Sequence, residues 1–219
     1  MRVYHIFKRT MDILESLVGI IILLPFWIII AIIIKLTSKG PVVYKHPRIG
    51  KYCNEFNMYK FRTMIVGART LQDKGVPNEN LITPFGGFLR RAFLDETLQL
   101  FNILKGDMSI VGPRPMDIEY FQGLVKKDRV WCHIFAIMPG LTGLESVADY
   151  LPQEDRLRFE EIFKGLPKER PHEAFLRHRF ILDSYYIEKE GLIMDTIIFF
   201  CTIWMIFRRI ITGKKITRY

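Results

Sequence analysis

The run Ser16–Ile34 limits what this chain can fold into more than any other stretch: its 19 residues carry no charge, and isoleucine dominates them. As one straight helix it would extend about 28 Å, barely the hydrocarbon thickness of a bilayer. Pro25 stands in its middle, where a proline removes a backbone hydrogen bond and favours a bend. Arg2, Lys8 and Arg9 precede the run; Lys35, Lys39, Lys45 and Arg48 follow it. Positive charge marks the cytoplasmic side of a membrane, and here both flanks are positive. The sequence therefore favours a helix–break–helix that enters one leaflet and returns, over a straight span that would export one basic flank. A secretory signal is a poor fit, because the run is too long and no small-residue cleavage site follows it.

A net charge of +9 calls for an anionic partner, and 49% hydrophobic content makes that partner a membrane with anionic lipid. Nucleic acid fits poorly, since the basic residues are interleaved with apolar runs and no recognition module is present. Cys53, Cys132 and Cys201 show neither a CxxC spacing nor histidine pairing, so they read as reduced thiols of a cytoplasmic compartment, with no zinc site. The pattern divides the chain into a membrane-embedded segment (residues 1–39), a cytoplasmic domain (40–191) and a C-terminal segment (192–219). In the last, Leu192–Phe207 is apolar but carries Asp195, and Arg208, Arg209, Lys214, Lys215 and Arg218 follow. An interfacial helix with a cationic tail is the economical reading.

Within the middle region, Pro41–His46 and Glu55–Phe61 read as short strands around a turn at Gly50–Asn54. Gly67–Thr83 is a polar loop, and Phe85–Ala92 a short helix delivering Arg90 and Arg91. Met116–Ile137 looks helical, Pro139–Val147 is a turn into an extended segment, and Gln153–Lys164 and His172–Glu190 are helices joined through Pro167–Pro171.

The chemistry concentrates in FLDETLQLFNILKGDMSIVGPRP, Phe93–Pro115. Asp95 and Glu96 follow the arginine pair. Leu98, Phe101, Ile103 and Leu104 recur at helical spacing, with Asp95 as a candidate N-cap and Gly106 as the stop. Two prolines then hold Arg114 in a stiff loop. Two carboxylates, three arginines and a helix N-terminus suit a phosphorylated substrate plus a hard cation. Taken alone, an Asp-Glu pair at a helix start is more often capping than catalysis. Lys60 and Arg62, on either side of Phe61, fit a phosphate contact or a solvated strand end equally well.

The ordered succession of Lys8-Arg9-x2-Asp12, the proline-broken apolar run, KGPVVYKHPRIG, FNMYKFRTM, FLRRAFLDETLQLFNILKGDMSIVGPRP, PGLTG and LDSYYIE resembles the bacterial sugar transferase family, from about Phe7 to Phe207. These are monotopic polyprenyl-phosphate phosphoglycosyltransferases. The resemblance implies an α+β, mostly helical fold: a re-entrant membrane helix hairpin, a compact cytoplasmic domain with short strands, and interfacial amphipathic helices. It implies transfer of sugar-1-phosphate from a nucleotide diphosphate sugar, usually a UDP-sugar, to undecaprenyl phosphate, with release of UMP, at the cytoplasmic face of a bacterial inner membrane. It makes Asp95 the nucleophile and Glu96 a Mg²⁺ ligand, gives Lys60, Arg62, Arg90 and Arg114 to substrate phosphates, and adds Asp183 as a further site contact; Arg91, beside Arg90, is a candidate contact from its position alone. It leaves a homo-oligomer open.

The sequence departs from the family where members commonly read DELPQLWN and PGITGWAQV; here DETLQLFN and PGLTGLESV stand, and Leu24 replaces the serine before the hairpin proline. Leu144, Glu145 and Ser146 are therefore expected to bear on donor choice. Two alternatives from other classes are a Mg²⁺-dependent nucleotide-sugar diphosphate hydrolase and a non-catalytic membrane platform.

Overall fold

Helix α1 (Arg2–Thr37) takes up the whole apolar run and both of its near flanks. At 1.5 Å per residue it is about 54 Å long. The computed structural model describes residues 2–127, 129–150 and 175–212. The expected break at Pro25 is absent, and helical backbone continues through it. The reason lies in how α1 is held. Asp12, Ser16, Trp27, Ile30 and Ile34 are buried, and a Cβ on Gly19 would lie 2.9 Å from Leu100 Cδ1. These positions recur every three or four residues, so a single stripe is clamped on both sides of the proline. The remaining faces, among them Leu17, Val18, Ile21, Phe26 and Ile29, are exposed and apolar.

After α1 come β1 (Val43–Ile49) and β2 (Glu55–Phe61), then α2 (Ala68–Asp73), α3 (Asn78–Leu81) and α4 (Pro84–Arg91). β1 pairs antiparallel with β2 and also with the two-residue β4 (Met116–Asp117), giving the order β2-β1-β4. The segment read as a polar loop thus holds two short helices. α4 starts as its sequence directs: Thr83 Oγ1 accepts from Gly86 N at 3.0 Å, with Pro84 at the first helical position.

α5 (Gln99–Lys105) stops at Gly106, which takes the left-handed conformation (φ 93°). The end of α5 is also capped from outside. Arg9 of α1 donates to the carbonyls of Ile103 and Leu104 at 2.6 and 2.9 Å, satisfying two orphan acceptors with a cation. Asn102, fully buried, accepts from Tyr59 N at 2.9 Å and donates to Asn57 O at 2.8 Å, which locks α5 to β2.

β3 (Ser109–Val111) pairs in parallel with β5 (Gly140–Thr142). Asp12 of α1 accepts from Ser109 Oγ and Ile110 N at 3.0 and 2.8 Å. The predicted helix Met116–Ile137 is divided into β4, α6 (Ile118–Lys127) and a 3₁₀ segment, Arg129–Ala136. Pairing of Met116 and Asp117 with β1 draws its start out of helix. Of the stretch expected to turn and extend over Pro139–Val147, β5 supplies the extended part and the rest enters α7 (Leu144–Tyr150). The helix read over Gln153–Lys164 and its proline loop lie outside the described residues, as does the tail carrying Lys214, Lys215 and Arg218.

α8 (Phe175–Lys189) and α9 (Leu192–Thr212) close the described structure. Asp195 on α9 is held by Tyr4 at 2.7 Å, by Tyr186 at 2.6 Å and by Lys8. The main core joins Trp27, Ile30 and Ile34 of α1 to Leu89, Leu98, Ile103, Leu144, Leu182 and Ile198. The apolar helix is therefore part of the core.

Candidate active site

Asp95 and Glu96 sit in a 3₁₀ turn, Leu94–Glu96, before α5, and the N-cap of α5 is Leu98 rather than the expected Asp95. The turn is entered through Phe93 at φ 56°, ψ 16°, a left-handed conformation that a phenylalanine rarely adopts. The flanking ties hold it: Arg90 Nε donates to Thr63 Oγ1 at 2.8 Å on one side, and Trp27 Nε1 donates to Thr97 Oγ1 at 2.9 Å on the other.

One oxygen of Glu96, Oε1, accepts from Lys60 Nζ at 2.6 Å and from Arg114 Nη2 at 2.7 Å. Burial pushes the Glu96 carboxyl up, but Arg114 and Lys60 outweigh it and hold the group well below the usual carboxylate range. Asp95 is also buried, and here burial and the adjacent Glu96 charge raise the carboxyl above its ordinary value, against the pull of Lys60 and Arg90. The two neighbouring carboxyls are thereby shifted in opposite directions. Burial lowers Lys60, with Glu96 opposing.

Arg114 is presented by a backbone clamp. Gly112 N donates to Thr142 O at 2.9 Å, and Gly140 N to Pro113 O at 2.8 Å. The strands approach so closely that a Cβ on Gly140 would lie 2.2 Å from Gly112 N, and one on Gly143 would lie 2.1 Å from Gly112 O. This gives PGLTG its work: it grips GPRP. Arg179 on α8 donates to the Arg114 carbonyl and is itself steadied by Asp183 at 3.4 Å. Asp183, 1% exposed, thus lies behind Arg114 rather than at the surface of the site.

Other expected residues are placed elsewhere. Arg62 is buried and donates to Ser38 O at 2.9 Å, to Ser38 Oγ at 2.7 Å and to Lys39 O, closing the end of α1. Gly40, at φ 117°, leaves room for it, since a Cβ there would stand 2.0 Å from Arg62 Nη1. Lys60 and Arg62 diverge because β2 ends between them. Arg91 is exposed and forms no ion pair among the described residues. Leu144, 1% exposed, is core rather than a surface offered to a donor.

Sequence reading took Arg48 only as part of a basic flank and passed over His46, Asp117 and Arg179. Arg48 Nη2 donates to His46 Nδ1 at 3.2 Å, which makes His46 Nε2 the protonated nitrogen that donates to Asp117 Oδ2 at 3.0 Å. Burial and Arg48 push His46 down to about 4, so it is neutral at physiological pH. The signal was the alternation in Tyr44-Lys45-His46-Pro47-Arg48, which puts His46 and Arg48 on one face of β1.

The sequence profile of the bacterial sugar transferase family matches residues 3–209. The chain belongs to that family. Among its relatives is the exopolysaccharide production protein PSS of Rhizobium leguminosarum bv. phaseoli, 35% identical over 205 residues that make up 90% of this chain and 94% of the relative. The UDP-N-acetylgalactosamine-undecaprenyl-phosphate N-acetylgalactosaminephosphotransferase of Aeromonas hydrophila is 32% identical over 217 residues, 96% of this chain and 45% of its own length. The UDP-glucose:undecaprenyl-phosphate glucose-1-phosphate transferase of Xanthomonas campestris pv. campestris is 36% identical over 154 residues, 69% of this chain and 32% of its own. The chain thus spans less than half the length of the last two.

Proposed function

We propose that this protein transfers a sugar-1-phosphate from a UDP-sugar to undecaprenyl phosphate, releasing UMP, as a membrane step of glycan assembly. The observation that carries the reading is the Glu96 oxygen pinned by Lys60 and Arg114 next to a buried, separately tuned Asp95. Names of relatives supply the substrates: two of them act between a UDP-sugar and undecaprenyl phosphate.

Asp95 attacks the sugar-bearing phosphorus. A bond forms between its carboxylate oxygen and phosphorus, the diphosphate P–O bond breaks, and UMP departs with the electron pair. The phosphate oxygen of the lipid acceptor then attacks the acyl phosphate and restores the Asp95 carboxylate. Division into two steps avoids bringing a lipid phosphate and a diphosphate together as anions. Arg90 lies on the Asp95 side and Arg114 on the Glu96 side, so the charge developing on the phosphoryl oxygens meets preset cations. Mg²⁺ ordinarily takes one or two carboxylates and completes its shell with phosphate and water oxygens. The two carboxylates fit such an ion, because Lys60 and Arg114 both use Oε1 of Glu96 and leave its other oxygen outside those bonds. When bound, Mg²⁺ would neutralise charge on the diphosphate.

Both flanks of the apolar run belong on the cytoplasmic side in this reading, with α1 inserted in one leaflet. Two facts support it: α1 touches the same domain from Tyr4 to Ile34, and its outward faces are apolar. α9 lies at the interface, with Ile193, Phe200, Ile203, Trp204 and Phe207 exposed and Arg208 stacked on Trp204 at 5.2 Å.

The deciding experiment mixes the protein with a UDP-sugar and Mg²⁺ and no lipid acceptor. About one UMP per site and a sugar-phosphate mass gain at Asp95 are expected. A strict need for both substrates before any UMP appears would replace this scheme with direct transfer.

A further inference from the structure

Arg48 stands in the candidate site region with a neutral group as its hydrogen-bond partner. Arg114 is paired with Glu96 and Arg179 with Asp183, whereas no carboxylate forms an ion pair with Arg48 among the described residues. Its hydrogen-bond neighbour is the His46 imidazole, and its Nε is buried without a hydrogen-bond partner. The register of the sheet aims it at the chemistry. Tyr44, His46 and Arg48 share one face of β1, and Lys60 is the cross-strand partner of Tyr44, so Lys60 and Arg48 project from the same side. Arg114, Arg179 and Glu96 are near enough to act on its charge, and burial together with those two arginines lowers the guanidinium to about 10 despite the pull of Asp117. Like charges gathered so closely, one of them without a carboxylate, make a place for an anion.

Asp95 neighbours Arg90 and Lys60, Glu96 is paired with Lys60 and Arg114, and Arg114 neighbours Arg48, which sets the order Arg90, Asp95, Glu96 with Lys60, Arg114 and Arg48. We infer that Arg48 binds a phosphate monoester at the end of the site away from Arg90, and that this one subsite serves UMP as it leaves and the lipid phosphate as it arrives. The inference rests on the two-step transfer proposed above. In that transfer Asp95 displaces UMP in line, so the lipid phosphate must attack the same phosphorus from the side UMP has vacated. As the diphosphate P–O bond breaks, negative charge grows on the UMP phosphate, and a guanidinium there stabilises it. In the second step the same guanidinium holds the incoming phosphate monoester while its oxygen forms the new P–O bond and the bond to Asp95 breaks.

The test uses the full chain in lipid nanodiscs. UMP is titrated at equilibrium, and KM for a polyprenyl monophosphate is measured on enzyme carrying the sugar phosphate. Arg48→Gln is expected to weaken both by about tenfold or more, as loss of a charge-assisted hydrogen bond predicts. Arg48→Lys, which keeps the charge, is expected to recover most of both. Lys45→Gln, on the exposed opposite face of β1, controls for general loss of positive charge and is expected to change neither. Thermal unfolding reports whether each variant is folded, and Arg48→Lys supplies the comparison should Arg48→Gln unfold. Folded Arg48→Gln protein that binds both ligands within twofold of wild type overturns the inference. So does a loss confined to one ligand, or an Arg48→Lys protein no better than a melted one. If wild type released no UMP from any UDP-sugar, the functional reading itself would fall. A turning-over wild type with an indifferent Arg48 removes only the subsite.

Discussion

Trp27, in the apolar helix, donates its indole proton to Thr97 Oγ1 at 2.9 Å, one residue after Glu96. Thr97 Oγ1 passes the tie on to Leu94 O at 2.7 Å, so the 3₁₀ turn holding both carboxylates is braced from within α1. Trp27→Phe keeps the ring and removes the donor. It is expected to cost about 1 kcal/mol of stability, and to lower kcat several-fold through misplacement of Asp95. Thermal unfolding and steady-state rates in nanodiscs check both. Unchanged kcat would show that the turn holds itself.

Arg62 gives the opposite expectation from a phosphate ligand. Its guanidinium is spent on Ser38 and Lys39, so Arg62→Gln should lower stability by about 2–4 kcal/mol, and leave donor KM nearly unchanged in the protein that remains folded. A donor KM raised tenfold in a stable variant would return Arg62 to the site.

The low-pH limb of kcat/KM should report Asp95. Its folded pKa is raised, chiefly by burial and then by Glu96, so activity should fall with acidification at a pH above the ordinary aspartate value. Arg90 opposes that shift. Arg90→Gln should therefore move the limb to higher pH as well as slow the reaction. A limb that stays in place would separate Arg90 from Asp95.

His46 makes stability depend on pH. Its folded pKa, about 4, lies below the unfolded value near 6.5, because burial and Arg48 penalise the charged ring. Unfolding therefore takes up a proton between those values. The contribution is complete above pH 6.5 and is lost as pH falls toward 4. The melting temperature of His46→Gln should be flatter than wild type across that window. Parallel curves would mean that His46 is not held neutral.

Single cysteines at Val3 and Lys45 should both resist a membrane-impermeant reagent in intact cells, since each lies beside a flank of α1 that touches the same domain. Labelling at Val3 alone would mean a straight span. Pro25→Ala tests whether the proline supplies the shape or the clamps do; an unchanged labelling pattern favours the clamps.

The sequence displayed the chemistry better than the wiring. Asp95, Glu96 and Arg114 were readable because they are adjacent, charged and set between turn residues. Gly106 was readable as a stop because it ends an apolar repeat. Arg62 was given to phosphate by resemblance, yet the strand ends at Phe61, so Arg62 leaves the face that carries Lys60. Arg48 stayed hidden because its relation to Arg114 depends on β4 pairing with β1, a contact between residues far apart in the chain. The stripe on α1 was masked by composition, since a helix apolar on every side has no visible buried face. Only Asp12, Ser16 and Trp27 betray it in retrospect.

The cap that Arg9 places on α5 has a practical bearing on how this protein can be handled. Trimming away the first helix to make a water-soluble version would bare two carbonyls at the end of α5, remove the acceptor for Ser109 and Ile110, and open the interior where Trp27, Ile30 and Ile34 sit. The first helix and the candidate site are one folding unit, so the apolar helix gives the site part of its shape.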